Sequence, residues 1–73
     1  MSLLLVTTRS GSTYILREST TGVVWCRMPR DASVGPGVRF GVEDTMPRIV
    51  QGEPVFLGDL LTTPVLNVAV MPT

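Results

Sequence analysis

The chain has 73 residues, with six Arg balanced by six acidic residues, no Lys, no His and a single Cys, so it carries no formal net charge and is one small domain near the lower size limit for an autonomous fold. Without His, and with Cys26 alone, neither a Cys/His metal cage nor a Ser-His-Asp triad nor a Cys-His dyad can be assembled, so no metal, no cofactor and no enzymatic activity are expected. The basic residues are spread along the chain at Arg9, Arg17, Arg27, Arg30, Arg39 and Arg48 rather than clustered, so no nucleic-acid partner is expected either.

No segment sustains a 3.6-residue apolar period, and Gly and Pro together make 13 of the 73 residues at short intervals, which leaves little or no helix. Short runs of Val, Ile, Leu, Thr and aromatics bounded by turn residues predict an all-β domain instead. A first strand over 3–8 is followed by the turn Arg9-Ser10-Gly11-Ser12 and a second strand over 12–17. With Ser10-Gly11 as a two-residue loop, Thr8 pairs with Thr13, Thr7 with Tyr14, Val6 with Ile15 and Leu5 with Leu16. Both faces of that hairpin are substantially apolar, whereas a hairpin in a monomeric sandwich or barrel has one wet face. The second face is therefore expected to be covered by another chain.

A polar turn, Glu18 to Gly22, leads to a third strand over 23–28, in which Val24, Cys26 and Met28 point one way and Val23, Trp25 and Arg27 the other. Pro29 ends it. A loop over 30–37 and a fourth strand over 38–42 follow; then comes an irregular stretch over 43–52, whose Met46, Ile49 and Val50 are expected to close one end of the core. A fifth strand over 53–57 turns at Gly58-Asp59, a pair suited to a type II′ hairpin. The last strand, 60–70, contains Pro64, which cannot donate a ladder hydrogen bond and so marks a bulge, corner or edge. The expected architecture is a small five- to six-stranded barrel or rolled antiparallel sheet.

The apolar run Met1 to Val6 follows no basic residue and ends at Thr7-Thr8-Arg9, too short for a signal peptide, and no stretch approaches the ~20 apolar residues that span a bilayer. With one unpaired Cys, a cytoplasmic, non-secreted protein without membrane contact is expected. Area scaling gives about 7,000 Å² buried on folding, worth ~105 kcal/mol if roughly 60% of it is apolar. Ordering the 73 residues costs ~110 kcal/mol. The terms cancel, so self-association into a homo-oligomer is the expected staple.

Trp25 and Arg27 lie on one side of the third strand, with Tyr14 and Arg17 as neighbours if the second strand pairs with it; Trp and Arg are enriched at binding hot spots, so these four are the candidate partner-binding residues. Core anchoring is the other role open to Trp25, the chain's single Trp. A weaker candidate for an anion is Gly35-Pro36-Gly37 flanked by Arg30 and Arg39, with Gly35 and Gly37 offering backbone N–H groups. Cys26, with no His or Lys beside it, reads as an inert core thiol, and the adjacent Glu43 and Asp44 as a solvated turn.

The stretch Thr7-Thr8-Arg9-Ser10-Gly11-Ser12-Thr13-Tyr14, the central Arg27-Met28-Pro29, the strand Gly52-Glu53-Pro54-Val55-Phe56-Leu57 and the ending Leu61-Thr62-Thr63-Pro64-Val65-Leu66 resemble small β-rich accessory proteins encoded by phages of actinobacteria. The pattern departs at Gln51 before Gly52 and at Leu61-Thr62-Thr63. Coding by a GC-rich genome accounts for the all-Arg basic set. The resemblance implies a phage accessory protein of β fold, acting in the host cytoplasm. A non-enzymatic module that self-associates and binds a host protein is the first functional expectation. A nucleotide-signal binder of the sponge type, or a minor virion structural protein, is the alternative.

Overall fold

The computed structural model describes residues 2–30, 38–58 and 60–72. Among these the chain forms seven strands and no helix: β1 (Ser2–Thr8), β2 (Thr13–Ser19), β3 (Gly22–Met28), β4 (Arg39–Glu43), β5 (Phe56–Leu57), β6 (Leu60–Leu61) and β7 (Val65–Pro72). Five of them make an antiparallel sheet in the order β4-β3-β2-β1-β7, and β5 and β6 form a separate small hairpin. The long last strand is two strands, as Pro64 requires. The Pro64 carbonyl accepts a hydrogen bond from the Arg9 N–H at 2.9 Å, and the β1–β7 register slips between Thr7 and Thr8, leaving Leu66 without a ladder partner. The sheet is open, with β4 and β7 at its edges.

The β1–β2 register differs by one residue from the sequence-based pairing. Thr7 faces Thr13, Val6 faces Tyr14, Leu5 faces Ile15 and Leu4 faces Leu16. The loop has three residues, Arg9-Ser10-Gly11: the Gly11 N–H donates to the Thr8 carbonyl at 2.9 Å and the Thr8 N–H to the Ser12 carbonyl at 3.0 Å. Gly11 sits at φ 92°, the left-handed position that closes a three-residue hairpin. A Cβ there would also lie 2.6 Å from Cδ of Arg30. Because side chains alternate, a slip of one residue moves a whole strand to the other face. Tyr14 and Leu16 therefore join Leu4 and Val6, while Ile15 joins Leu3 and Leu5.

The topology then decides which face is dry. Leaving β4 at one edge, the chain must cross the sheet to reach β7 at the other, a span of about 19 Å at ~4.8 Å per strand. It crosses over one face only. The crossing segment, with the β5–β6 hairpin inside it, packs Val55 and Leu57, with Met46, Ile49 and Leu60 at the margin, onto Val6, Tyr14, Leu16, Val23 and Trp25. Of the three residues expected to close the core, Met46 and Ile49 do so; Val50 lines a surface groove instead. The predicted Gly58 turn is present: Leu57 pairs with Leu60 and Gly58 has φ 64°, while Asp59 lies outside the described residues.

The crossing segment is held by a side chain acting as backbone. Thr62, buried, accepts from the Val55 N–H through Oγ1 at 2.9 Å and donates to the Thr63 carbonyl at 2.7 Å. Thr62→Val keeps the shape but leaves a buried N–H unpaired, so it is expected to cost about 1–3 kcal/mol in urea unfolding. Thr62→Ser should recover most of that loss.

Candidate functional site, an uncovered sheet face

The register places three rows of side chains on the face that the crossing segment does not reach. The first is Met71–Leu3–Arg17–Val24–Val42, the second Ala69–Leu5–Ile15–Cys26–Phe40, and the third Asn67–Thr7–Thr13–Met28. Arg17 is the only charge in these rows, and the middle row is wholly apolar. Phe40 is 74% exposed and Val42 69%, with Val24 and Met28 exposed on the neighbouring strand and Met71 exposed at the opposite edge. Antiparallel sheets that face water on one side alternate apolar and polar residues. Here both sides are apolar, as the sequence suggests, although the face is composed differently once the register is right.

The four candidate partner-binding residues are divided by this geometry. Trp25 and Tyr14 are each only 4% exposed and belong to the core, so they present no surface patch on the folded chain. Trp25 lies against Gly41, its direct cross-strand partner. Arg27 is paired with Tyr14 on the same inner side, half-buried, and donates from Nη2 to Ser12 Oγ at 3.3 Å. Arg17 points to the opposite, uncovered face. The residues that make that face distinctive, Ile15, Phe40 and Val42, were not singled out by sequence; their signal is a shared parity visible only through the register.

Cys26 is not a core residue. It sits half-buried in the middle row of the uncovered face, its Sγ 3.8 Å from Met28 Sδ. Glu43 accepts the Gly58 N–H at Oε1, 2.8 Å away, and so pins the β5–β6 turn. Glu43 also lines, with Asp44, Glu53 and Arg48, an open groove of about 590 Å³. Among the described residues no three Cys, Asp or Glu side chains gather as a metal cage would need, and no helix is long and apolar enough to cross a membrane. Of the weaker anion-binding set, Arg30 packs over Gly11 and Arg39 stands on β4 beside Arg27, while Gly35 and Gly37 lie outside the described residues.

No protein-family model, curated protein or solved structure matches the chain.

Proposed function

We propose that the chain is a non-enzymatic binding module that works as an assembly of its own copies, built by packing two uncovered sheet faces against each other. The observation that carries this reading is the charge-poor face of three rows, apolar throughout its middle row, left bare by a crossover that covers only the opposite side. Five strands about 4.8 Å apart and ~23 Å long give on the order of 550 Å² in projection. A face-to-face pair thus buries about 1,100 Å² or more in total, above the ~1,000 Å² that a specific interface must clear.

Of the two occupants the sequence suggests for such a surface, a second copy and a host protein, the copy is the one that area and composition fit. Two identical twisted sheets stack about 10 Å apart with strands some 30° off parallel. In that arrangement the single Arg17 of each copy, in an outer row, stays near the rim, where its head reaches water. Cys26, in the middle row, is covered.

Sedimentation equilibrium across a micromolar concentration series is expected to show a species of at least twice 7.9 kDa. Phe40→Ser, at a side chain exposed in the single chain, should weaken assembly about tenfold or more while leaving the unfolding midpoint of the dissociated chain close to wild type. A wild-type protein that sediments at 7.9 kDa throughout the series would overturn the reading.

A further inference from the structure

The outer edge of β7 is blocked at its start by the chain's own residues 51–53. The Gly52 N–H donates to the Val65 carbonyl at 2.8 Å, the Val65 N–H to the Glu53 carbonyl at 3.0 Å, and Gln51 Nε2 to the Leu66 carbonyl at 2.9 Å. At the far end of the strand Pro72 has no N–H to offer. Between these limits lies a window of five residues, Asn67 to Met71, centred on Ala69.

The phase of the hydrogen bonds fixes what this window presents. The Thr8 N–H points to Ser12, toward β2. Backbone groups alternate sides along a strand, so those of Thr7, Leu5 and Leu3 point toward β7, where their partners are Asn67, Ala69 and Met71. The N–H and carbonyl groups of Val68 and Val70 therefore point out of the sheet. Both side chains lie on the core side, opposite Val6 and Leu4, but the crossing segment stops short of Val70, which is 70% exposed. Proteins commonly guard an open edge with charge. β7 carries none, whereas β4, at the other edge, has Arg39 and Glu43.

We infer that this window pairs with the same window of a second copy, antiparallel about a two-fold axis between the two Ala69 residues, so that two five-stranded sheets become one of ten strands. In that register Val68 of each copy faces Val70 of the other. Their outward donors and acceptors satisfy one another in four hydrogen bonds, and the exposed Val70 gains a β-branched neighbour. Ala69 meets Ala69 in the non-hydrogen-bonded pair, where strands come closest and small side chains fit. Ala69 is also the end of the apolar middle row, Ala69–Leu5–Ile15–Cys26–Phe40, so the pairing joins the middle rows of two copies end to end. A foreign strand would satisfy the same hydrogen bonds without extending that row.

This inference rests on the face-to-face reading above and adds a second contact to it. A single edge of five residues covers far less than the ~1,000 Å² of a specific interface, so it holds only between copies already packed by their faces. With its axis normal to the sheets, two edges form together, one in each layer, and four chains close with D2 symmetry.

The test is sedimentation equilibrium across a micromolar series, in which wild type is expected to reach four times 7.9 kDa. Val70→Pro removes an N–H that points out of the sheet, so it should stop at twice 7.9 kDa with wild-type strand content by circular dichroism. Val70→Lys keeps the N–H but sets a charge against Val68 of the other copy; it should weaken the four-chain association at least tenfold, and its Val68 amide should exchange hydrogen at least tenfold faster than in wild type. A wild-type mass that stops at twice 7.9 kDa would overturn the edge pairing and leave the face contact standing. A fourfold mass that persists in both Val70 variants would also overturn it, by assigning the second contact to another surface. A mass of 7.9 kDa throughout would overturn both readings.

Discussion

Gly41→Ala is expected to destabilise the fold by about 3 kcal/mol or more, the upper part of the range for overpacking a core. The Cβ it adds would stand 2.3 Å from Cε2 and Cζ2 of Trp25 and 2.5 Å from Nε1. The indole cannot step aside, since it is 4% exposed and enclosed by the crossing segment. For a chain this short, total stability is on the order of 4–11 kcal/mol, so a loss of that size brings unfolding near room temperature. Trp25→Ala removes the same contact from the other side and should cost about 3–5 kcal/mol. Because both changes act on one contact, the double variant Trp25→Ala/Gly41→Ala should be much less destabilised than the two losses added together. Wild-type Trp emission should be blue-shifted and shielded from acrylamide, and that of Gly41→Ala shifted to the red. A Gly41→Ala protein with the wild-type melting temperature and emission would show that the ring does not lie against β4.

That pairing also shows where sequence reading stops. The strands themselves were legible: Gly and Pro punctuate the chain so regularly that the first four predicted strands lie within about two residues of those observed, and Pro64 and Gly58 mark a bend and a turn for reasons of donor loss and positive φ. The sequence left a barrel and a rolled sheet as alternatives; the strands form a five-stranded antiparallel sheet in which β4 and β7 stand at the two ends of the order. The register turned on one residue. Arg9-Ser10-Gly11 and Ser10-Gly11 are both plausible loops, and only the left-handed φ of Gly11 and the Thr8–Ser12 bond select the longer one. From sequence, β3 offers two apolar parities, one with Val23 and Trp25 and one with Val24, Cys26 and Met28. What selects the Trp25 parity for the core is the space left by Gly41 one strand away.

The candidate sites were less legible than the fold, for the same reason. The excess apolar surface could be counted in the hairpin, but naming its residues needs the pairing of five strands, including the non-local β1–β7 contact. Arg27 and Arg39 are far apart in sequence and become neighbours only through the β3–β4 register. Arg39, expected to serve an anion with Arg30 and the Gly-Pro-Gly loop, stands on β4 beside Arg27, while that loop lies outside the described residues.

Ile15→Arg should have the largest effect on assembly. Ile15 occupies the centre of the middle row, between Leu5 and Cys26 in register, and in a face-to-face pair it has no path to water. A guanidinium placed there without a carboxylate partner is a buried unpaired charge, which costs several kcal/mol and is expected to weaken association more than a hundredfold. The isolated chain should tolerate it, because Arg17 already stands on the same face in an adjoining row, and a long side chain on an open sheet can carry its head to solvent. The expected result is a folded 7.9 kDa species with wild-type strand content by circular dichroism and the same buried Trp emission. Thr20→Arg, in the exposed β2–β3 turn, should assemble as wild type does. An Ile15→Arg protein that keeps the wild-type sedimenting mass would rule out this face as the contact between copies.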